Sequence, residues 1–306
     1  MTGFEAVILT IVTAATPLLI AALGELVTER SGVLNLGVEG MMIVGAVTGF
    51  AGAQLTGSPY LGVIAAMAGG MALSSLFAFL VLRLAANQVA SGLALTLLGL
   101  GLSGMIGEAF IGQPGLRLER IDIPFLTDLP VVGTLLFGQD PLVYASVALA
   151  VCVSWFLFRT RAGLALRAVG NNHGSAHMLG VHVIRTRFLA VLFGGACSGL
   201  AGGYLSLAYT PQWVEGMTAG RGWIALALVV FASWMPLRAA VGAYLFGGAL
   251  ILQFHAQAEG IPLPSQFLSA LPYLATVAAL VILSRDQWRA RNDSPACLGQ
   301  VFVPDR

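Results

Sequence analysis

Mostly apolar runs of about 17–25 residues recur along almost the whole chain, and each is the length of helix that crosses a bilayer's hydrocarbon core. Only 9% of the 306 residues are charged and the mean hydropathy is +0.87, against about 25% charged residues in a soluble domain. The chain therefore reads as an all-α, polytopic membrane bundle forming one domain over residues 1–306. Spans are predicted at 6–24, 33–54, 60–82, 89–111, 142–158, 188–209, 222–237, 239–257 and 268–284, about nine segments in all. The seventh is short and ends at Pro236, so a re-entrant or broken helix remains open there.

The 38 glycines fit this class, because helices in lipid associate where small residues let backbones approach. "GGACSGLAGG" (194–203) and "LGLGLSG" (98–104) read as packing seams. Cys152, Cys197 and Cys297 have neither metal-ligand spacing nor a disulfide framework. "MTGFEAVILT" lacks a basic leader and cleavage site and reads as the start of the first span.

All fifteen basic residues are arginine. With the N-terminus outside, twelve of them fall on one side and Arg117, Arg120 and Arg221 on the other. The positive-inside rule makes the rich side cytoplasmic, which puts the tail 285–306 inside and the loop 112–141 outside. The spans with this charge bias read as a multi-pass membrane protein with a cytoplasmic C-terminus. A P-loop needs its GxxxxGK[ST] lysine, and this chain has no lysine. It is expected to bind no cofactor of its own, and any ATP motor must be a separate subunit.

"SGVLNLGVEG" (31–40) places Asn35 and Glu39 four residues apart where hydrocarbon is expected. A carboxylate facing lipid at mid-depth costs roughly 2.5–3.5 kcal/mol. The surrounding Gly32, Gly37 and Gly40 suggest a broken helix near 31–42 whose freed backbone lines a cavity or is buried in protein. Helical spacing lets Asn35 and Glu39 bond each other or a common ligand. Lining a solute pathway, bonding the bundle together and relaying protons all remain open. Asn87, Gln88, Ser91 and Thr96 are candidates to face the same cavity, although Ser and Thr in spans commonly bond back to their own helix.

The longest inner segment, 159–187, opens and closes with paired arginines and holds two short apolar pieces around "GNNHG". Two short helices separated by a turn near Gly170 or Asn171 suit it. A plain connector does not need apolar helical pieces, which gain by docking on a protein or a membrane surface. His173, His177 and His182 lie in a loop at spacings of four and five, which is poor metal-ligand geometry, and no metal is expected. Outside, Gln212, Glu215 and Arg221 are candidate docking residues, with Trp213 and Trp223 as interface anchors and Arg221 able to pair with Glu215.

"GELVTERSGVLNLGVEGMM" (24–42), "NQVASGLALTLLGLGLSG" (87–104), the 159–187 loop and "GMTAGRGWIALALVVFASWMPLRAAVGAYLFG" (216–247) together resemble one family. It comprises the permeases of bacterial ABC importers of the branched-chain amino acid/ribose type, and more narrowly the nucleoside and simple-sugar branch. The resemblance covers roughly 15–285. It implies a permease for a small polar solute that works in a pair, with a second copy or a related permease. It also implies an ATPase subunit carrying ATP and Mg, an extracytoplasmic binding protein, and no nucleic-acid partner. In such permeases a short cytoplasmic helix seats in the ATPase, and the matching positions here are Arg167, Ala168, Gly170, Asn171, Ala176 and Gly180.

Two other classes compete. An ion-coupled secondary transporter would show inverted repeats with paired broken helices, and 31–42 and 216–236 are two broken-looking segments without self-similarity. A rhomboid-like intramembrane protease would use Ser103 of "GLSG" with His255.

Overall fold

In the computed structural model, residues 3–121, 137–258 and 294–303 are described, with single positions at 133, 270 and 274. Among the described residues all regular structure is helical. In chain order α1 is Gly3–Arg30, α2 Val38–Thr56, α3 Pro59–Ala78, α4 Gln88–Gly107 and α5 Pro141–Arg159. They are followed by α6 Arg161–Asn171, α7 His173–Met178, α8 Val183–Tyr204, α9 Arg221–Phe231 and α10 Pro236–Ala258. Wider π-turns extend α3 through Phe79–Arg83 and α8 through Leu205–Tyr209.

Among the described residues seven helices are long and apolar enough to cross a membrane, rather than the nine expected. The predicted span 222–237 is the 11-residue α9, about 16 Å long and half a crossing. Of the predicted span 268–284 only positions 270 and 274 are among the described residues, so the span itself lies outside them. The first helix is longer than predicted and carries Glu25, Glu29 and Arg30 within its last turns. The polarity of these residues reads as a loop in sequence, but each is buried.

Helices α1, α2, α3 and α8 form the centre, with α4 against α2, and α5, α9 and α10 against α1. Glycine makes the centre possible. A Cβ on Gly199 would lie 3.0 Å from the Cα and N of Gly70, and one on Gly45 would meet the carbonyl carbon of Gly199 at 2.7 Å. The backbones thus touch directly, and dispersion contacts replace a hydrophobic driving force that lipid cannot supply.

The end of α1, the start of α8 and the 159–187 loop lie together at the arginine-rich end. Arg187 donates to the Ser31 carbonyl, and a Cβ on Gly170 would press on the Arg30 carbonyl. At the opposite end Gln54 donates to Pro114, and Leu118 N–H donates to Leu207.

Candidate functional site

Among the described residues the chain is unwound at 31–37 and at 210–220, and these two breaks meet at Glu39. Gly40 packs on Leu95 and Thr96 near the middle of α4, so α2 begins part-way through the bundle. From there α2 runs to the arginine-poor end. Helix α9 starts at the same level, with Gly222 against the Glu39 backbone, and runs the other way to Trp234 beside Arg30. The N-terminus of α9 therefore faces a carboxyl group carried by the first turn of α2. Glu39 accepts from the Thr218 hydroxyl at 2.6 Å, Gly220 N–H at 2.9 Å and Gly222 N–H at 2.6 Å. The first turn of a helix has N–H groups with no internal partner and a positive dipole end, which is what a carboxyl oxygen satisfies. Each hydrogen bond contributes about 0.5–1.5 kcal/mol net. Three of them offset the roughly 2.5–3.5 kcal/mol insertion cost of the side chain.

Asn35 and Glu39 do not bond each other. Asn35 precedes the helix, so the four-residue helical spacing does not apply to it. Its N–H and side-chain amide donate to the two oxygens of Glu25, at 3.2 and 3.4 Å, and its own oxygen accepts Gly37 N–H at 3.0 Å. Helix α4 holds the rest of this break: Gln88 accepts Leu34 N–H at 2.7 Å and Thr96 donates to the Leu36 carbonyl at 3.1 Å. Asn87 caps α4 by accepting Ala90 N–H, and Ser91 is half-exposed on the same helix. The side-chain nitrogen of Gln88 is buried without a partner among the described residues.

A second anchor closes the α9–α10 turn. Ser233 and Trp234 are consecutive non-glycine residues with φ of 50° and 55°, a conformation that costs about 1–3 kcal/mol per residue. Trp234 is held by α1: its indole N–H donates to Glu29 at 2.5 Å, and Arg30 donates twice to its carbonyl, at 3.1 and 3.0 Å.

The 159–187 loop contains two short helices, α6 and α7, capped by Thr160 and Asn172. Arg167 lies over the Phe158 ring at 5.0 Å, Ala168 and Asn171 are exposed, Gly170 and Ala176 are buried, and Gly180 turns the chain with φ +83°. The tail returns to this loop, which no local sequence signal announces. Cys297 N–H donates to the Gly170 carbonyl at 2.9 Å and its thiol to the Asn171 carbonyl at 3.4 Å. Gly299 N–H donates to Gly32, and Arg187 reaches the Gln300 carbonyl at 3.0 Å. Phe302 packs edge-on against His173 and His177. Arg187 also donates to Nδ1 of His173. Burial first, and the guanidinium second, hold this imidazole below its ordinary pKa.

The loop, break and tail thus share Arg187. Arg187→Gln is expected to release the tail, because it removes charged hydrogen bonds worth about 1.5–3 kcal/mol each. Maleimide labelling of Cys297 should then rise more than about tenfold; labelling at the unchanged rate would show that the tail is held without Arg187.

At the arginine-poor end an open cavity of about 730 Å³ lies between 111–115 and 211–215, with Gln212 and Glu215 on its wall. Beyond it a 190 Å³ space is lined by Tyr209, Thr210, Gln212 and Arg221. Arg221 does not turn to Glu215. It donates to the Met217 and Thr218 carbonyls and lies 5.6 Å from the Tyr209 ring. Trp213 is only 3% exposed and packs on Gly107 of α4, so it is core rather than an interface anchor; Trp223 is 38% exposed.

Sequence reasoning missed Glu25, Glu29, Thr218 and Trp234. An available signal was the carboxyl pair at i, i+4 in "GELVTER", since ionisable groups in spans rarely lack a partner. The proposed Ser103–His255 pair is not assembled: Ser103 donates to its own helix at Leu100, and α4 and α10 have different principal neighbours.

Residues 7–282 match the family described as "Branched-chain amino acid transport system / permease component". A Haloferax volcanii protein named as a glucose ABC transporter permease is 45% identical over 88% of each chain. The guanosine ABC transporter permease protein NupQ of Bacillus subtilis is 34% identical over 94% of this chain and 93% of its own. The nucleoside ABC transporter permease protein NupC of Lactococcus lactis is 33% identical over 88% and 89%. A solved ABC transporter named as metal-chelate type, in an inward-facing conformation, has a similar fold: TM-score 0.52, 16% identity, 90% of this chain and 84% of that one. These matches leave no place for the secondary-transporter and protease readings. The chain belongs to the ABC transporter permease family of the branched-chain amino acid transport system type, a transport subunit and not an enzyme.

Proposed function

We propose that the chain admits a nucleoside or simple sugar through the cytoplasmic membrane as one permease of a pair, identical or related. The observation that carries the solute class is the set of relatives named for guanosine, nucleosides and glucose, each matched over most of its length. The outer cavity carries Gln113, Gln212 and Glu215 on its wall, and their amide and carboxyl groups can hydrogen-bond a hydroxyl-rich solute. Gln212 and Glu215 are exposed there and suited to docking a binding protein, while Arg221 stiffens the approach to Glu39.

The moving parts in this reading are the two unwound segments. Asn35, Glu39, Gln88 and Thr96 hold them shut, and Asn87 and Ser91 stand at the mouth of α4. The 161–178 helices seat in an ATPase that carries ATP and Mg, with Arg167, Ala168 and Asn171 at the contact and Gly170 and Ala176 packing the loop to the bundle. Because Gly170 sits on the Arg30 carbonyl and the tail binds Gly32, motion of the loop is delivered to the first break. The arginine-rich end, with the tail, faces the cytoplasm, and the whole chain acts as one domain.

Uptake of labelled guanosine, adenosine and glucose in cells with and without the chain and its partner subunits tests the assignment. The expected result is saturable uptake of one solute class, competed by its congeners. Uptake of leucine or isoleucine alone would move the chain to the amino-acid branch of its family.

A further inference from the structure

A groove of about 520 Å³ opens between the π-turn that ends α3 and the start of α8, on a face unrelated to the Glu39 junction. Its polar rim is basic: Arg83, Arg185, His177 and His182 line it, and among the described residues no acidic residue does. Both arginines are exposed, and neither makes a hydrogen bond or ion pair among the described residues. Its walls are apolar, with Phe79 51% and Phe188 38% exposed.

The two walls repeat one arrangement. Arg83 is the last residue of its span, and Phe79 stands four residues deeper. Arg185 is the third residue of its span, and Phe188 stands three residues deeper. The two helices enter from the same end, so each side of the groove has a cation at the membrane boundary and an aromatic ring about one turn further in. That order matches an amphiphile with an anionic head and an apolar body.

We propose that this groove is a binding site for an anionic phospholipid of the leaflet at the arginine-rich end, with its phosphate between Arg83 and Arg185 and an acyl chain along Phe79 and Phe188. Basic pockets between spans are suited to such headgroups, and each arginine near an anionic surface adds attraction that falls away within a Debye length. The inference needs only the membrane reading of the spans and holds for any solute.

The test uses the full-length chain purified in mild detergent and titrated with phosphatidylglycerol, phosphatidylcholine or inorganic phosphate while thermal unfolding is followed. Phosphatidylglycerol is expected to raise the midpoint at low concentration, and phosphatidylcholine and phosphate are not. R83Q/R185Q should need at least roughly tenfold more phosphatidylglycerol, R83K/R185K should respond nearly as the parent does, and R117Q/R120Q at the other end should respond fully. A photoactivatable phosphatidylglycerol should attach to the parent chain within 79–83 or 183–188, a readout that does not depend on any variant folding. Equal response to phosphatidylcholine, a full response to phosphate alone, an unchanged R83Q/R185Q titration, or attachment only elsewhere would each overturn the proposal. A groove reserved for a protein partner would give the unchanged titration.

Discussion

Glu39→Leu is expected to abolish uptake. The substitution removes the acceptor for Thr218, Gly220 and Gly222 and leaves two buried donors and one part-buried donor beside an apolar side chain. Each unsatisfied donor costs about 1–3 kcal/mol, so loss of all three partners costs the junction between α2 and α9 roughly 3–9 kcal/mol. The chain retains its other interfaces, so it should still insert and assemble with its partner subunits, with the closed arrangement of the two breaks lost. Glu39→Gln is the graded control. Its oxygen can serve Thr218 and Gly220, but its NH2 then faces the N–H of Gly222, and partial uptake is expected. Uptake measured beside co-purification of the ATPase separates these outcomes. Normal uptake by Glu39→Leu would remove the junction from the transport cycle.

Gly199→Val is expected to have the largest effect on the fold itself. A Cβ there meets the carbonyl of Ala66 and lies 3.0 Å from the backbone of Gly70, and backbone cannot rotate away as a side chain can. Helices α3 and α8 would have to separate, and α2 with them, since Gly45 uses the same strip of α8. A cost above about 4 kcal/mol is expected, in the range reserved for gross core disruption. Gly101 provides the contrast. It is helical, and nothing lies within 4 Å of an added Cβ, so Gly101→Ala should be neutral or stabilise slightly through helix propensity. Size-exclusion profiles of the two variants in detergent check the pair: Gly199→Val should be lost to aggregate and Gly101→Ala should elute as the parent does. A monodisperse Gly199→Val would mean that the seam is looser than its contacts require.

The contrast between these residues also shows what a reader of the sequence can and cannot see. Long spans are legible because lipid enforces a length and a composition on each helix separately. The break expected near 31–42 is legible only in part: Gly32, Asn35 and Gly37 mark the non-helical stretch 31–37, whereas Gly40 lies in α2, which is helical from Val38. Glu39 advertises a cost that something must offset. What offsets it is illegible. Thr218, Gly220 and Gly222 lie some 180 residues away, and two of the three contribute only backbone N–H groups, which carry no side-chain signal. Helical spacing misleads at Asn35, because the helix begins three residues later. The run 222–237 is apolar enough to pass as a span, and only its packing against Glu39 makes it start half-way in. The return of 296–302 to Gly32, Gly170 and Arg187 is written in backbone bonds and two histidine–phenylalanine contacts, none of which forms a local pattern.

The central claim is that this chain is a gated passage moved by a separate motor. Solute accumulation in proteoliposomes measures it most directly, with the purified chain alone under an imposed proton or sodium gradient, and then with its ATPase, companion permease and binding protein supplied with ATP. The expected result is no accumulation by the chain alone and concentrative uptake by the complete set. Accumulation by the chain alone, driven by the ion gradient, would contradict the claim.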